Sequence, residues 1–157
     1  MNPRFLRVYA ELGIDAHTAE AALPHIRAHI LDPQNYHLYP DTLEVLEACK
    51  ARGIPCVMIS NNYPEAGDVI AALGIDRYFD SIIISGLEGC DKPGEGIFRL
   101  AMSRCPAAGR FIMVGDNIEA DIGGAKALCI ETVYVHRGEN PLADHCFDSL
   151  MPIADLI

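Results

Sequence analysis

Asp116 and Asp121 stand five residues apart on the turn that follows an apolar run, Phe111 to Val114, which stops at Gly115. Two carboxylates at the carboxyl end of a buried strand suit a hard cation, and such a cation usually serves phosphate chemistry. The same aspartates also suit the capping of the helix-like segment that follows. Two other apolar runs end in complementary groups. Ile59 leads into Ser60-Asn61-Asn62, whose hydroxyl and amides can donate to phosphate oxygens. SIIIS leads into GLEGCDKPG, where the Lys92 ammonium can offset charge that grows in a transition state. Singly, each has a plain structural reading: a helix entry, a solvated lysine, turn chemistry at Lys92-Pro93. Together, and in this order, they read as a phosphate site.

Such groups converge only if strands bring them to one edge. Residues 41–53 read as a helix capped by Asp41 and stopped by Gly53. IPCVMIS, SIIIS, RFIMVGD and ETVYVH read as strands, separated by the helical segments PEAGDVIAALGI, GEGIFRLAMSRC and EADIGGAKALC. HCFDSLMPIADLI adds an edge element and a terminal helix. Strands alternating with helices of this length give βαβ units and a parallel sheet, with all strand ends on one edge. The first part is helical. Phe5, Leu6, Tyr9 and Leu12 share a face, and residues 16–32 continue as a kinked helix or two short ones around Pro24.

The chain has 157 residues, with 22 acids against 12 bases and a net charge of −10. That length suits one domain with a proper core. The charge argues against nucleic acid or an anionic membrane as a partner, but not against a phosphorylated metabolite. No N-terminal apolar core of a signal peptide and no run of membrane-spanning length appear, so a cytoplasmic protein is expected. The six cysteines form no CxxC pair and read as reduced thiols, mostly in the core. Cys90, in a Gly-rich turn, is the one expected at the surface. His25 and His29 are four apart on a helix and read as an exposed face rather than a metal pair. His136 follows a strand and is expected at the rim of the site, with Arg137-Gly138 as a turn.

The order "apolar strand–SN", DKPGEGIF and FIMVGDNIEADIGGAKALCIETVYV resembles the haloacid dehalogenase-like hydrolases over residues 39–157. The resemblance implies an α/β fold with a Rossmann-like three-layer core and a parallel sheet. Residues 1–38 then look like the last part of a helical cap. Ser60 matches the family's second motif, Lys92 the third, and Asp116 with Asp121 the fourth. The resemblance therefore implies Ser60 and Lys92 as catalytic residues, Ser60, Asn61 and Lys92 as substrate-binding, and Asp116 and Asp121 as Mg2+ ligands. An acid pair in the fourth motif favours a magnesium-dependent phosphatase or phosphomutase over a dehalogenase, because phosphoryl transfer gains from a cation.

The family's first motif, DxDxT, supplies the nucleophilic aspartate and the general acid/base. No DxD occurs in this chain, and Asp32 in HILDPQN is no substitute. The central first strand that carries the motif is expected to be absent. The strands at 54–60 and 111–115 should then pair directly or present open apolar edges that invite self-association. Three motifs without the first lead us to expect the C-terminal part of a longer gene product, inactive alone. A non-catalytic phosphate- or metal-binding or interaction protein, and one half of a split assembly, are the competing readings. Substrate identity and oligomeric state are not legible in the sequence.

Overall fold

The computed structural model describes residues 11–157. The helix expected over residues 3–12 lies outside the described residues except for its last two positions. The chain divides into two compact units, Met1–His37 and Leu38–Ile157.

In the first unit, helix α1 spans Ala16–Ile30. Asp15 caps it by accepting from Thr18 N at 3.0 Å and Thr18 Oγ1 at 2.7 Å. Pro24 lies inside this one helix, so the two-helix alternative does not hold. Proline removes one backbone hydrogen bond, and the capped turns on either side keep the helix continuous. Asp32 accepts from Gln34 N at 3.0 Å and caps the short 3-10 turn Pro33–Asn35. His29 is tied to Asn35, whose Nδ2 lies 3.0 Å from the ring Nδ1 and 2.9 Å from the backbone oxygen.

In the second unit, α2 spans Thr42–Ala51, β1 Val57–Ser60, α3 Ala66–Ala72 and β2 Ser81–Ile84. They are followed by the single turn α4 at Ser85–Glu88, α5 at Glu95–Ser103 and β3 at Ile112–Gly115. A wide π-helical turn, Ile118–Gly123, runs into α6 at Gly124–Lys126. Strands β4 at Glu131–Val135 and β5 at His145–Phe147 precede α7 at Ile153–Leu156. Asp41 stands at the start of α2 but makes no side-chain cap bond; its Oδ2 instead accepts from Leu150 N at 2.6 Å, over a hundred positions along the chain.

All pairings are parallel, as the alternating pattern predicts, but the strands form two sheets. One is β1-β2 and the other β3-β4-β5, with no ladder between β1 and β3. Of the two outcomes anticipated for a missing central strand, the open edges are the one observed among the described residues. Strands β1 and β3 are only half-buried along their whole length, whereas β4 is buried from Thr132 to Val135.

Packing nevertheless crosses the break. Phe98 and Ile97 on α5, with Ile83, Ala125 and Ile130, form a cluster that receives Val57 and Ile59 from β1 and Met113 from β3. A second cluster around Val45, Cys49, Val133 and Ile153 receives Ile112 and Val114 from β3. Alternate residues of β3 thus enter different layers, as strand geometry requires. Gly124 lets α6 approach α5: a Cβ there would fall 2.8 Å from Phe98 Cζ. All six cysteines are free. No helix among the described residues is long and apolar enough to cross a membrane.

Candidate functional site at the strand ends

The three sequence-predicted strand ends meet through Lys92. Asn61, just past β1, clamps its backbone from both sides. Asn61 Nδ2 donates to Lys92 O at 2.7 Å, and Lys92 N donates to Asn61 Oδ1 at 2.9 Å. The Lys92 ammonium then reaches back to donate to Ile59 O at 2.8 Å and lies 2.7 Å from Asp121 Oδ1. Lys92 is thus buried rather than solvated, and it joins β1, the loop after β2 and the turn after β3.

Asp121 is delivered by the π-helical turn. Asn117 caps that turn, its Oδ1 accepting from Ala120 N at 2.8 Å. Asp121 N and Ile122 N both donate to Asn117 O, at 2.9 and 3.2 Å, and the second bond spans five residues. This widened turn folds Asp121 back over the strand end, where its Oδ2 accepts from Asn117 N at 3.1 Å. Gly115 makes room, because a Cβ there would fall 2.6 Å from Asp121 Cγ. Asp116 has a partner of its own. It is about half exposed and its Oδ2 accepts from Arg137 Nη2 at 2.9 Å.

Ser60 ends β1 opposite Ile84 and stands next to the Asn61 clamp. Ser85 fixes the neighbouring loop, accepting from Asn62 N at 3.1 Å and donating to Asn62 O at 3.4 Å. The side-chain amide of Asn61, expected to face phosphate, is instead engaged in positioning Lys92. Cys90, expected at the surface, is half-buried and packs against the Phe98 cluster.

The donor set fits a hard cation. Asp121 Oδ1 is a buried oxygen that accepts no aligned hydrogen bond, although the Lys92 ammonium lies beside it. Asp116 supplies a second, accessible carboxylate. Magnesium takes one or two carboxylates and completes its shell with water and substrate oxygens. Among the described residues no group of three or more His, Cys, Asp or Glu side chains is assembled for a metal.

Two site residues carried no clear sequence signal. Asn117 read only as part of a motif, and its capping role depends on the π turn. Arg137 read as a turn residue, and its contact with Asp116 depends on β4 lying beside β3 in register, Gly115 opposite Tyr134.

A family model for haloacid dehalogenase-like hydrolases matches residues 3–128. A phosphoserine phosphatase of Thermus thermophilus is 30% identical over 138 residues, which cover 86% of this chain and 55% of that protein. A ribulose-1,5-bisphosphate 5-phosphatase of Halopiger xanaduensis is 32% identical over 136 residues, covering 76% of this chain and 56% of that protein. The chain thus spans about half the length of these relatives. The crystal structure of a HAD phosphatase from Thermococcus onnurineus has the same fold, with a TM-score of 0.75 at 20% identity over 97% of this chain and 85% of that one.

Proposed function

This chain belongs to the haloacid dehalogenase-like hydrolases, and on that premise we propose that its strand-end cluster is a magnesium-dependent phosphatase site for a small phosphorylated metabolite. The observation that carries this reading is the buried Lys92–Asp121 contact at 2.7 Å, which places a fixed cation and a carboxylate at one strand edge. Asp116 and Asp121 are the residues to hold the cation. Magnesium, when bound, offsets negative charge on the phosphoryl oxygens. Ser60 Oγ–H binds and orients the phosphoryl group, while Asn62 N and Tyr63 N, which donate to Ser85 Oγ and Asn62 Oδ1, hold the loop after β1 in shape. Lys92 balances its charge, and Asn61 and Asp121 keep Lys92 in place, so little reorganisation is needed when ligand arrives. The relatives named above are phosphatases of small phosphorylated compounds, which supports that substrate class.

The 157 residues contain no DxD, so we assign this chain binding without turnover on its own. Residues 1–38 serve in this reading as a piece of a helical cap. The six free cysteines support a reducing compartment, the cytoplasm. A second reading is favoured by the open edges of β1 and β3: a strand supplied by a partner completes the sheet and brings the missing aspartates, or the edges mediate self-association.

Calorimetric titration of inorganic phosphate in the presence of magnesium, with p-nitrophenyl phosphate hydrolysis measured alongside, tests both parts. Phosphate binding that is lost in Lys92→Met is expected, without turnover. Binding indifferent to Lys92 would end the phosphate reading. Robust turnover abolished by Asp116→Ala would show a self-sufficient enzyme and overturn the assignment of inactivity.

A further inference from the structure

The segments that leave the strand ends are residues 61–65, 85–94, 116–117 and 136–144. Their lysines and arginines are Lys92 and Arg137. Lys92 is committed inside the site. Arg137 is not: its side chain is 56% exposed, and its Nη2 donates to Asp116 Oδ2 at 2.9 Å. A guanidinium offers five N–H donors in a planar fork, so most of its donor capacity faces outward from this contact. An ion pair as exposed as this one is screened by water and salt and exchanges readily.

The turn that presents Arg137 is fixed. His136 adopts a left-handed backbone, φ 59°, and its N–H donates to Phe147 O at 3.0 Å. The His136 ring lies 3.9 Å from the Tyr39 ring at an interplanar angle of 11°, and its Nδ1 is 2.8 Å from Asp148 O. A stacked, hydrogen-bonded neighbour therefore fixes the backbone of this turn, and the Asp116 contact sets the arginine just past the carboxyl end of β3.

We propose that Arg137 is a specificity-determining residue that holds a carboxylate of the phosphorylated substrate. The inference rests on the phosphate reading of Lys92, Asp116 and Asp121. The group Arg137 holds in the structure is a carboxylate, that of Asp116. A cation held by Asp116 would compete for that carboxylate and leave the guanidinium free. One guanidinium balances one negative charge and matches a planar carboxylate bidentately. In a chain of net charge −10, an anionic substrate arm finds favourable potential only where such a cation stands.

The test is calorimetric binding of 3-phosphoglycerate and glycerol 3-phosphate to the full chain with saturating magnesium. These probes share a phosphate and differ by a carboxylate. The carboxylate-bearing probe is expected to bind about tenfold tighter, the usual scale of a hydrogen bond to a charged group. Arg137→Ala should remove that gap by weakening 3-phosphoglycerate alone. Arg137→Lys should restore part of it, since it keeps the charge and loses the fork. Arg99→Ala, which deletes one charge from the exposed face of α5, should keep the gap and so exclude a net-charge effect. Equal affinities in the unmodified chain, or a gap that survives Arg137→Ala, overturn the proposal. If glycerol 3-phosphate binds through Lys92 and Arg137→Ala changes nothing, the phosphate site stands and only Arg137 falls. If glycerol 3-phosphate does not bind, or binds regardless of Lys92→Met, the phosphate reading itself fails and this assignment goes with it.

Discussion

Lys92 Nζ and Asp121 Oδ1 lie 2.7 Å apart where their side chains are only 11% and 6% exposed. An ion pair at that depth has given up most of its hydration, so neither charge is tolerated without the other. The two residues are 29 positions apart in sequence, and the pair fastens the loop after β2 to the turn after β3. That fastening crosses the break between the two sheets.

Breaking this pair should therefore destabilise the fold as well as the site. Lys92→Met and Asp121→Asn are each expected to cost about 3–5 kcal/mol, because each leaves an uncompensated buried charge. The double variant should recover part of the loss, since both charges are then gone. Urea unfolding of the four proteins gives the coupling directly. Additive losses would mean that the two groups do not interact as the geometry describes.

The Asn61 clamp is expected to act on Lys92 through its backbone. Asn61→Ala removes two hydrogen bonds, at 2.7 and 2.9 Å, and leaves Lys92 N and O to find other partners. A loss of about 1–3 kcal/mol is expected in denaturant titration. Phosphate affinity should fall with it. A variant as stable as the parent and equally able to bind phosphate would show that the clamp positions nothing.

Much of this was legible in the residues because the local signals agree with the tertiary ones. The apolar runs ending at Ser60, Ser85 and Gly115 mark three strands, and their polar followers mark one edge. Asp121 illustrates what the sequence withholds. Its spacing from Asp116 suggests a metal pair, but does not say that the π turn lays Asp121 against Lys92 or that Asp116 meets Arg137. Which carboxylate faces which cation depends on turn width and strand register, and neither is a property of local composition. Asn61 shows the same limit: an amide beside a phosphate site can bind ligand or hold a neighbour, and only the position of the loop after β2 decides. Asp41 is another case, since its helix-capping signal is overridden by a long-range partner, Leu150 N.

Asp144 should couple stability to acid pH. It bonds Lys126 Nζ at 2.6 Å, Thr132 N at 2.9 Å and Thr132 Oγ1 at 2.8 Å. These contacts, the Lys126 bond foremost, hold its carboxyl down at about 2, below the ordinary carboxylate value. A depressed folded-state pKa favours the folded state above the unfolded value and loses that contribution as pH falls through the folded one. Asp144→Asn should therefore be less stable than the parent at neutral pH. The difference should shrink between about pH 4 and pH 2, from the unfolded carboxylate value to the folded one. Parallel stability curves across that window would contradict the assignment.

The open edges of β1 and β3 should be visible in amide hydrogen exchange. β4 is paired on both sides, to β3 and β5, and its residues from Thr132 to Val135 are buried. Its amides should exchange only on global unfolding. Among the described residues β1 pairs with β2 alone and β3 with β4 alone, and in a parallel ladder alternate N–H groups of each point away from the partner. Those alternate amides in Val57–Ser60 and Ile112–Gly115 are expected to exchange by local opening, far faster than their neighbours. The measurement also separates two fates of the edges. If another copy or a partner strand covers them, their protection should rise with protein concentration or with the partner, because the covering bonds are intermolecular. In dilute monomer, full protection of every amide in β1 and β3 would mean that the two sheets are joined by a ladder, and the break between them would have to be abandoned.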